Sequence, residues 1–541
     1  MKYVELTLSG SYRETSSQVK GLSAANSTPV FQLDRFLERC DQIQHSSRIQ
    51  RVVIVRDTGF SSRLPAGLEA IRRALVRLRE AGKELVYYAE DYQFEDMFLA
   101  SACRTRLIHP EGSISFLGIS RNYLYFKKTL SKHSVSVEVF RREHYKSAAD
   151  MFTEDHVNQF ERQQTERFLQ TALNRFTTAV SSDLLVTETE IEELMQGRFF
   201  TPDEGVDHGW ITHVTDIVSY RDELQQQKDR KAKKKKLRGR IDRGRVKIPV
   251  LFLEGAIVDG TENKRGLITG QNISGQWFAG KIAEIRKSRA KALILRINSP
   301  GGSAAASEVI RAEVVRTAEK MPVIVSMGPV AASGGYWIAS AANKIFAHKT
   351  TVTGSIGVVS LYFYIRDFLR KQGVTADVVK AGDFADFGSA LRKLSARERN
   401  EIEQQIERTY QRFIRIVSDG RSIDPMRVRE IAGGRVYSGE EALSHGLVDE
   451  IGDLADAIEH AKRCVDVTHA KSCFGPRVKR SFVERQLQGS RHAHSAFVSA
   501  LQADGMATRF NPEMALQEIL QTHGKVLALD LDLYQQLLDP Q

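Results

Sequence analysis

The constraint that outweighs every other in this chain is that it carries one pattern twice. "GRFFTPDEGVDHGWI" from Gly197 and "GRVYSGEEALSHGLV" from Gly434 align without gaps at an offset of 237. "NRFTTAV" from Asn174 and "QRFIRIV" from Gln411 keep that offset. "RVVIVRD" from Arg51 matches "KALILRI" from Lys291 at 240, and "FLASACRTRLIH" from Phe98 matches "WIASAANKIFAH" from Trp337 at 239. A chain of 541 residues built this way must fold as two related units, each of roughly 220 residues and each able to bury a core.

Inside each unit, short runs of branched residues alternate with amphipathic stretches. In the second half "IPVLFLEGAIVDG" (248–260) is followed by the helical "GQWFAGKIAEIRKS" and then by "KALILRI". This alternation predicts a parallel sheet with helical crossovers in each unit, an α/β fold. The expected organisation is a first unit over 1–225, a linker over 226–247, a second unit over 248–465, and an extension over 466–541. The extension has no counterpart in the first unit. Its stretch "RSFVERQLQGSRHAHSAFVSALQ" predicts a mainly helical tail, a packing or oligomer surface in preference to a membrane anchor, with the role of the extension left open.

Charge is concentrated rather than spread. Residues 228–247 hold 12 Lys or Arg and 2 Asp, and so supply +10 of the net +11. A run of this kind between two units reads first as a solvated linker, with contact to anionic lipid second and nucleic acid unlikely. The four cysteines, Cys40, Cys103, Cys464 and Cys473, show no CxxC spacing, so neither a zinc site nor a disulfide framework is indicated. No apolar stretch reaches the roughly 18–20 residues of a membrane-spanning helix, and the first residues lack the layout of a signal peptide.

The positions where the two halves differ carry the chemistry. "VAASGGYWIAS" (330–340) sets Ser333 before two glycines, whereas the offset of 239 carried back from Ser333 reaches Phe94, followed by Glu95 and Asp96. "INSPGGSAAAS" (297–307) ends a strand in a Pro-Gly-Gly turn that opens a helix, a setting in which backbone N–H groups can form an oxyanion hole. The first half has "RDTGFSSRLPAG" instead. Conversely, the first half holds Lys146 in "REHYKSAADMFTED", where the second half has Ala385. These complementary losses point to one shared active site, with Ser333 as nucleophile and Lys146 as its general base. An ammonium with a pKa near ~10.4 accepts no proton at neutral pH, so burial must depress it by several units.

Together "SPGGS", "AASGGYWIA", "TGSIG" and "YKSAAD" resemble the long, duplicated form of the signal peptide peptidase A (protease IV) family, over about residues 1–465. The resemblance implies two tandem ClpP/crotonase-like domains and a Ser/Lys-dyad serine endopeptidase that forms an acyl-enzyme. It implies Ser333 and Lys146 in the roles above and Ser355 of "TGSIG" orienting the lysine. An oxyanion hole is implied from Gly334 together with Gly301 or Gly302, the choice within that pair staying open. Substrates would be hydrophobic peptides, notably released signal peptides. No metal or organic cofactor is implied. A bowl-shaped homotetramer at the bacterial inner membrane is implied too, although this chain shows no membrane-spanning helix, so attachment through 228–247 or a cytoplasmic location stay open.

Three rival readings stand beside this one. A Ser-His-Asp site needs a histidine about two dozen residues after the serine, and the segment around Val358 has none. His208 and His445 recur in both halves, which makes a structural role the better reading. An acyl-CoA enzyme of the crotonase type would not need Ser333, and a non-catalytic scaffold would not retain both members of the dyad.

Overall fold

Runs of branched apolar residues form the strands, and the helically patterned stretches between them return the chain across the sheet. A computed structural model describes residues 2–15, 30–62, 65–226, 246–261, 265–266, 270–467 and 470–475. In the first half, the strands that frame the sheet and the junction are β1 (Lys2–Leu8), β2 (Ile49–Arg56), β3 (Glu84–Ala89), β4 (Thr105–Ile108) and, after an excursion through β5 (Ser136–Arg141), β6 (His213–Val214). The parallel sheet runs β1-β2-β3-β4-β6. Its helices are α1 (Leu33–Gln44), α2 (Pro65–Glu80), α3 (Phe94–Ala100), α4 (Gln159–Leu184), α5 (Pro202–Asp207) and α6 (Ile217–Gln226).

The second half repeats that order. Its strands are β7 (Val246–Glu254), β8 (Leu293–Ser299), β9 (Val323–Ala332), β10 (Lys344–Ala347), β11 (Val352–Gly354), β12 (Val359–Tyr364), β13 (Val436–Tyr437), β14 (Glu450–Ile451) and β15 (Ala470–Gly475). The helices are α7 (Gly275–Lys287), α8 (Ala304–Ala318), α9 (Gly334–Ala339), α10 (Ala396–Arg421), α11 (Gly439–Ser444) and α12 (Leu454–Cys464). Parallel pairing runs β7-β8-β9-β10-β14, the counterpart of β1-β2-β3-β4-β6.

Recurrent sequence has a local cause here. Thr201 and Glu204 close a reciprocal capping box on α5, Ser438 and Glu441 do the same on α11, and His208 and His445 end these two helices. Both histidines therefore terminate matching helices in the two units.

The extension departs from the expected helical tail at its start. Ala470–Gly475 is a strand that pairs in parallel with β7 at the sheet edge, because alternating register against Val246–Leu251 satisfies backbone groups that a helix would leave bare there. The second unit's sheet thus continues past 465. The helical stretch expected from Arg480 onward and linker residues 227–245 lie outside the described residues.

Several contacts join the units, among them a strand pair, a core contact and a buried ion pair. β5 of the first pairs antiparallel with β12 of the second, from Arg141 opposite Val359 to Ser136 opposite Tyr364. Leu37 of α1 packs on the core face formed by Ile248, Val250, Ile294 and Leu454. Behind β8, Arg296 meets Glu14 through two bonds of 2.9 Å and also donates to Ser326 Oγ at 2.9 Å and Met327 O at 2.6 Å, with both charged side chains buried. A pair this deep stabilises only when its donors are met; Glu14 meets Nε and Nη2 across the junction, and Ser326 and Met327 meet Nη1 within the second unit.

Candidate active site

Ser333 stands at the turn between β9, whose ten residues are all buried, and α9. Its φ of +53° lies in the left-handed region, a conformation that costs a β-carbon residue on the order of 1–3 kcal/mol and is retained where neighbours over-determine it. The two following glycines are required by close approach. A Cβ on Gly334 would lie 2.5 Å from Ser307 Oγ, and one on Gly335 would lie 3.0 Å from Ser299 O. The Ser333 N–H donates to Gly354 O at 2.9 Å, which ties the turn to β11.

Lys146 reaches this turn from the other unit. Beyond β5, the Arg142 N–H donates to Val358 O at 3.1 Å and the Tyr145 N–H to Gly433 O at 3.2 Å. Gly434, at φ +80°, lies against the lysine backbone, where a Cβ would come within 2.7 Å of Lys146 N. The Arg435 guanidinium covers the Tyr145 ring at 4.7 Å. The Lys146 ammonium nitrogen then lies 3.0 Å from Ser333 Oγ, 2.8 Å from Ser355 Oγ and 3.1 Å from Ser355 O. Lys146 is 6% exposed, and burial alone lowers its pKa from 10.5 to about 7.

Ser355, also left-handed at φ +50°, is held by its N–H donating to Arg435 O at 2.7 Å. Its carbonyl and hydroxyl oxygens can take the two N–H bonds of a neutral amine. The amine lone pair is then left for Ser333, the arrangement a general base needs.

The glycine turn after β8 distinguishes the two candidates that the sequence leaves open. The Gly301 N–H donates to Ser299 Oγ at 3.1 Å, whereas the Gly302 and Gly334 N–H groups have no acceptor among the described residues. A Cβ on Gly334 would lie 3.2 Å from Gly302 N, and one on Gly301 would lie 2.7 Å from Ser333 Cβ. Two unused amides therefore converge beside the serine.

Two cavities flank the dyad. One of about 200 Å³ is walled by Lys146, Ser355, Tyr123, Met151, Val359 and Tyr437, among others. The other, about 30 Å³, lies against Ser333, Gly302 and Gly334 under Trp337, Val358 and Phe413. No histidine lines either cavity. His348 is buried where the units meet, 3.7 Å from Glu69, and burial pushes its pKa down to about 3. The residues that sequence reading passed over are the packing glycines Gly357, Gly433 and Gly434. The doubled glycine at 433–434, where the first half has Gln196 and Gly197, was the available signal.

The profile of peptidase family S49 matches residues 77–231 and 316–468. The chain belongs to peptidase family S49. The two matched stretches correspond to the two halves, so the family S49 domain is present in tandem. Among relatives, Protease 4 of Salmonella typhi is 34% identical over 72% of this chain and 65% of its own length. Protease 4 of Haemophilus influenzae is 32% identical over 79% of this chain and 72% of its own. The chloroplastic serine protease SPPA of Arabidopsis thaliana is 30% identical over 74% and 61% respectively. This family S49 chain therefore spans just under two thirds of the length of the Salmonella protein. Among solved structures, ClpP1 from Listeria monocytogenes covers 38% of this chain and 92% of its own at 17% identity and a TM-score of 0.24.

Proposed function

We propose that this S49 chain is a serine endopeptidase in which Ser333 attacks a scissile carbonyl and Lys146 serves as base and then as acid. The observation that carries the reading is a buried amine, without a charged hydrogen-bond partner among the described residues, 3.0 Å from a strained serine hydroxyl. Ser333 Oγ forms the acyl bond while its proton passes to Lys146. The oxyanion draws on the Gly334 and Gly302 N–H groups, the Lys146 proton leaves with the amine product, and water attacks the acyl-enzyme through the regenerated base. Gly301 supports the turn through Ser299 instead of donating to the oxyanion. Ser355 orients the amine.

The apolar residues of these two cavities support a substrate class. A side chain lodged under Trp337, Val358 and Phe413 must be small, and the larger cavity accepts aliphatic residues of an extended peptide. Hydrophobic peptides, released signal peptides among them, are the substrates this supports. The finer description of each unit as ClpP/crotonase-like belongs to the same reading. So does inner-membrane association, with the basic run 228–247 against anionic lipid; no described helix is long and apolar enough to cross a membrane.

A homotetramer belongs here as well, supported by the repeat. Val379 is 99% exposed where its counterpart Phe140 is 7%, and Leu117 is 65% exposed where its counterpart Ile356 is 1%. Phe140 is covered where β5 of the first unit lies on the second, and Ile356 belongs to the same core cluster. A second copy docked in the same way would cover Val379 and Leu117.

The deciding experiment compares wild type, Ser333→Ala and Lys146→Ala on a fluorogenic hydrophobic peptide. Both variants are expected to lose at least 10³-fold in kcat, on the order of single dyad deletions. Full activity in either one removes the dyad.

A further inference from the structure

The dyad is assembled from two units, so something must hold the lysine loop and the Ser355 strand in one frame. The residues that do so lie at the start of α4. There the Glu161 carboxylate accepts hydrogen bonds from Ser147 Oγ, from Tyr123 Oη at 2.9 Å and from Gln164 Nε2 at 2.6 Å. Gln164, 8% exposed, turns its other end to the second unit, where its Oε1 accepts the Val436 N–H at 3.3 Å. Ser147 is the residue after Lys146. Val436 follows Arg435, whose carbonyl accepts the Ser355 N–H. The bonds therefore close a circuit: Lys146, Ser147, Glu161, Gln164, Val436, Arg435, Ser355 and back to the lysine nitrogen.

The duplicate half shows that Glu161 has been diverted to this task. The counterpart of α4 is α10, and both helices carry a glutamate three residues after the N-cap. In α10, Glu398 bonds back to the Ser395 N–H at 2.7 Å in a reciprocal capping box. In α4 only half of that box exists: Asn158 Oδ1 accepts the Glu161 N–H at 2.8 Å, while the Glu161 carboxylate faces the lysine loop. A carboxylate taken away from its own helix end and given three donors beside a catalytic loop has lost a stabilising local bond in favour of a distant one.

Resting on the Ser/Lys reading above, we infer that Glu161 and Gln164 are positioning residues that clamp the Lys146 loop of the first unit to the Ser355 strand of the second. They touch neither Ser333 nor the lysine nitrogen. Their effect is to keep the amine dry and aimed, since a loosened loop admits water and returns the amine toward ordinary basicity. The charged groups sharing the cavity wall are Arg121, Asp150, Glu161 and Glu441. Asp150 is paired with Arg141, and Glu441 caps α11.

The test measures kcat, KM and the pH profile of kcat/KM for Glu161→Ala, Gln164→Ala and the exchange Glu161→Gln with Gln164→Glu. The exchange keeps an amide beside a carboxylate and lets the circuit re-form, with the Ser147 hydroxyl accepting from the amide now at 161 and the carboxylate now at 164 accepting the Val436 N–H. Each alanine variant is expected to lower kcat about 10-fold or more with KM within about 3-fold, and to move the acid limb upward by roughly half a pH unit or more. The exchange should recover kcat to within about 3-fold of wild type. Wild-type kcat and an unmoved limb in both alanine variants would overturn the clamp, as would lost activity with an unmoved limb or an exchange no better than the alanines. Ser333→Ala and Lys146→Ala are assayed alongside. If they stay active the dyad reading fails, whereas inactive dyad variants beside unaffected clamp variants sink the clamp alone.

Discussion

At the scale of single residues, the proposed dyad has Lys146 trade stability for reactivity. Its amine must be neutral to take the Ser333 proton, so kcat/KM is expected to rise with pH through about 7 and then level, a limb that a pH series on a fixed peptide resolves. The stability consequence runs with the sign of a base whose folded value lies below its ordinary one. The penalty for burying the amine is full below about pH 7, shrinks as pH climbs, and is gone above the ordinary lysine range. Lys146→Met removes that penalty, so it should abolish hydrolysis yet stabilise the fold by roughly 2–4 kcal/mol at pH 6 and by less at pH 9. Urea midpoints at the two pH values check both the sign and the trend. Ser333 and Lys146 were legible because each is missing from the opposite half. Glu161 was not, because Asn158 and Ser395 each precede a glutamate by three residues and both patterns read as capping boxes.

At the scale of elements, glycines decide whether the turns can approach one another. Gly302 sits at φ +150°, and a Cβ there would stand 2.0 Å from Ile257 O, a backbone atom that cannot swing aside. If the Gly302 N–H serves the oxyanion as proposed, Gly302→Ala is expected to displace it and lower kcat by about 10²–10³-fold, with the circular dichroism spectrum retained. The strands and helices themselves were well anticipated: 248–260 begins in β7, "GQWFAGKIAEIRKS" forms α7, and "KALILRI" enters β8. The β5–β12 ribbon was not anticipated, because it pairs strands from different units. The counterpart of β5 is the exposed run 375–380, and that of β12 is 120–125, neither of them a strand here. A register between segments more than 200 residues apart leaves no mark in local periodicity. The strand at 470–475 was missed for a related reason, since its partner β7 lies at the far end of the same unit.

For the molecule as a whole, the junction between the units is where stability and activity meet. Glu14→Ala leaves Arg296 buried without its partner and should cost about 3–5 kcal/mol, read as a lower urea midpoint, while a paired apolar replacement should cost much less. If copies assemble by repeating this junction, Leu117→Asp with Val379→Asp should shift sedimentation velocity toward a smaller species and leave the wild-type protein in the larger one. Sequence by itself determined that there are two α/β units and which half kept the serine and which the lysine, because duplication makes each half a control for the other. Only tertiary structure decided that the lysine nitrogen lies 3.0 Å from the serine, that Gly301 rather than Gly302 donates to Ser299 Oγ, and that Glu161 faces the lysine loop. Those outcomes depend on distances and hydrogen-bond competition across a junction of two units, and such quantities exist only once the chain has folded back on itself.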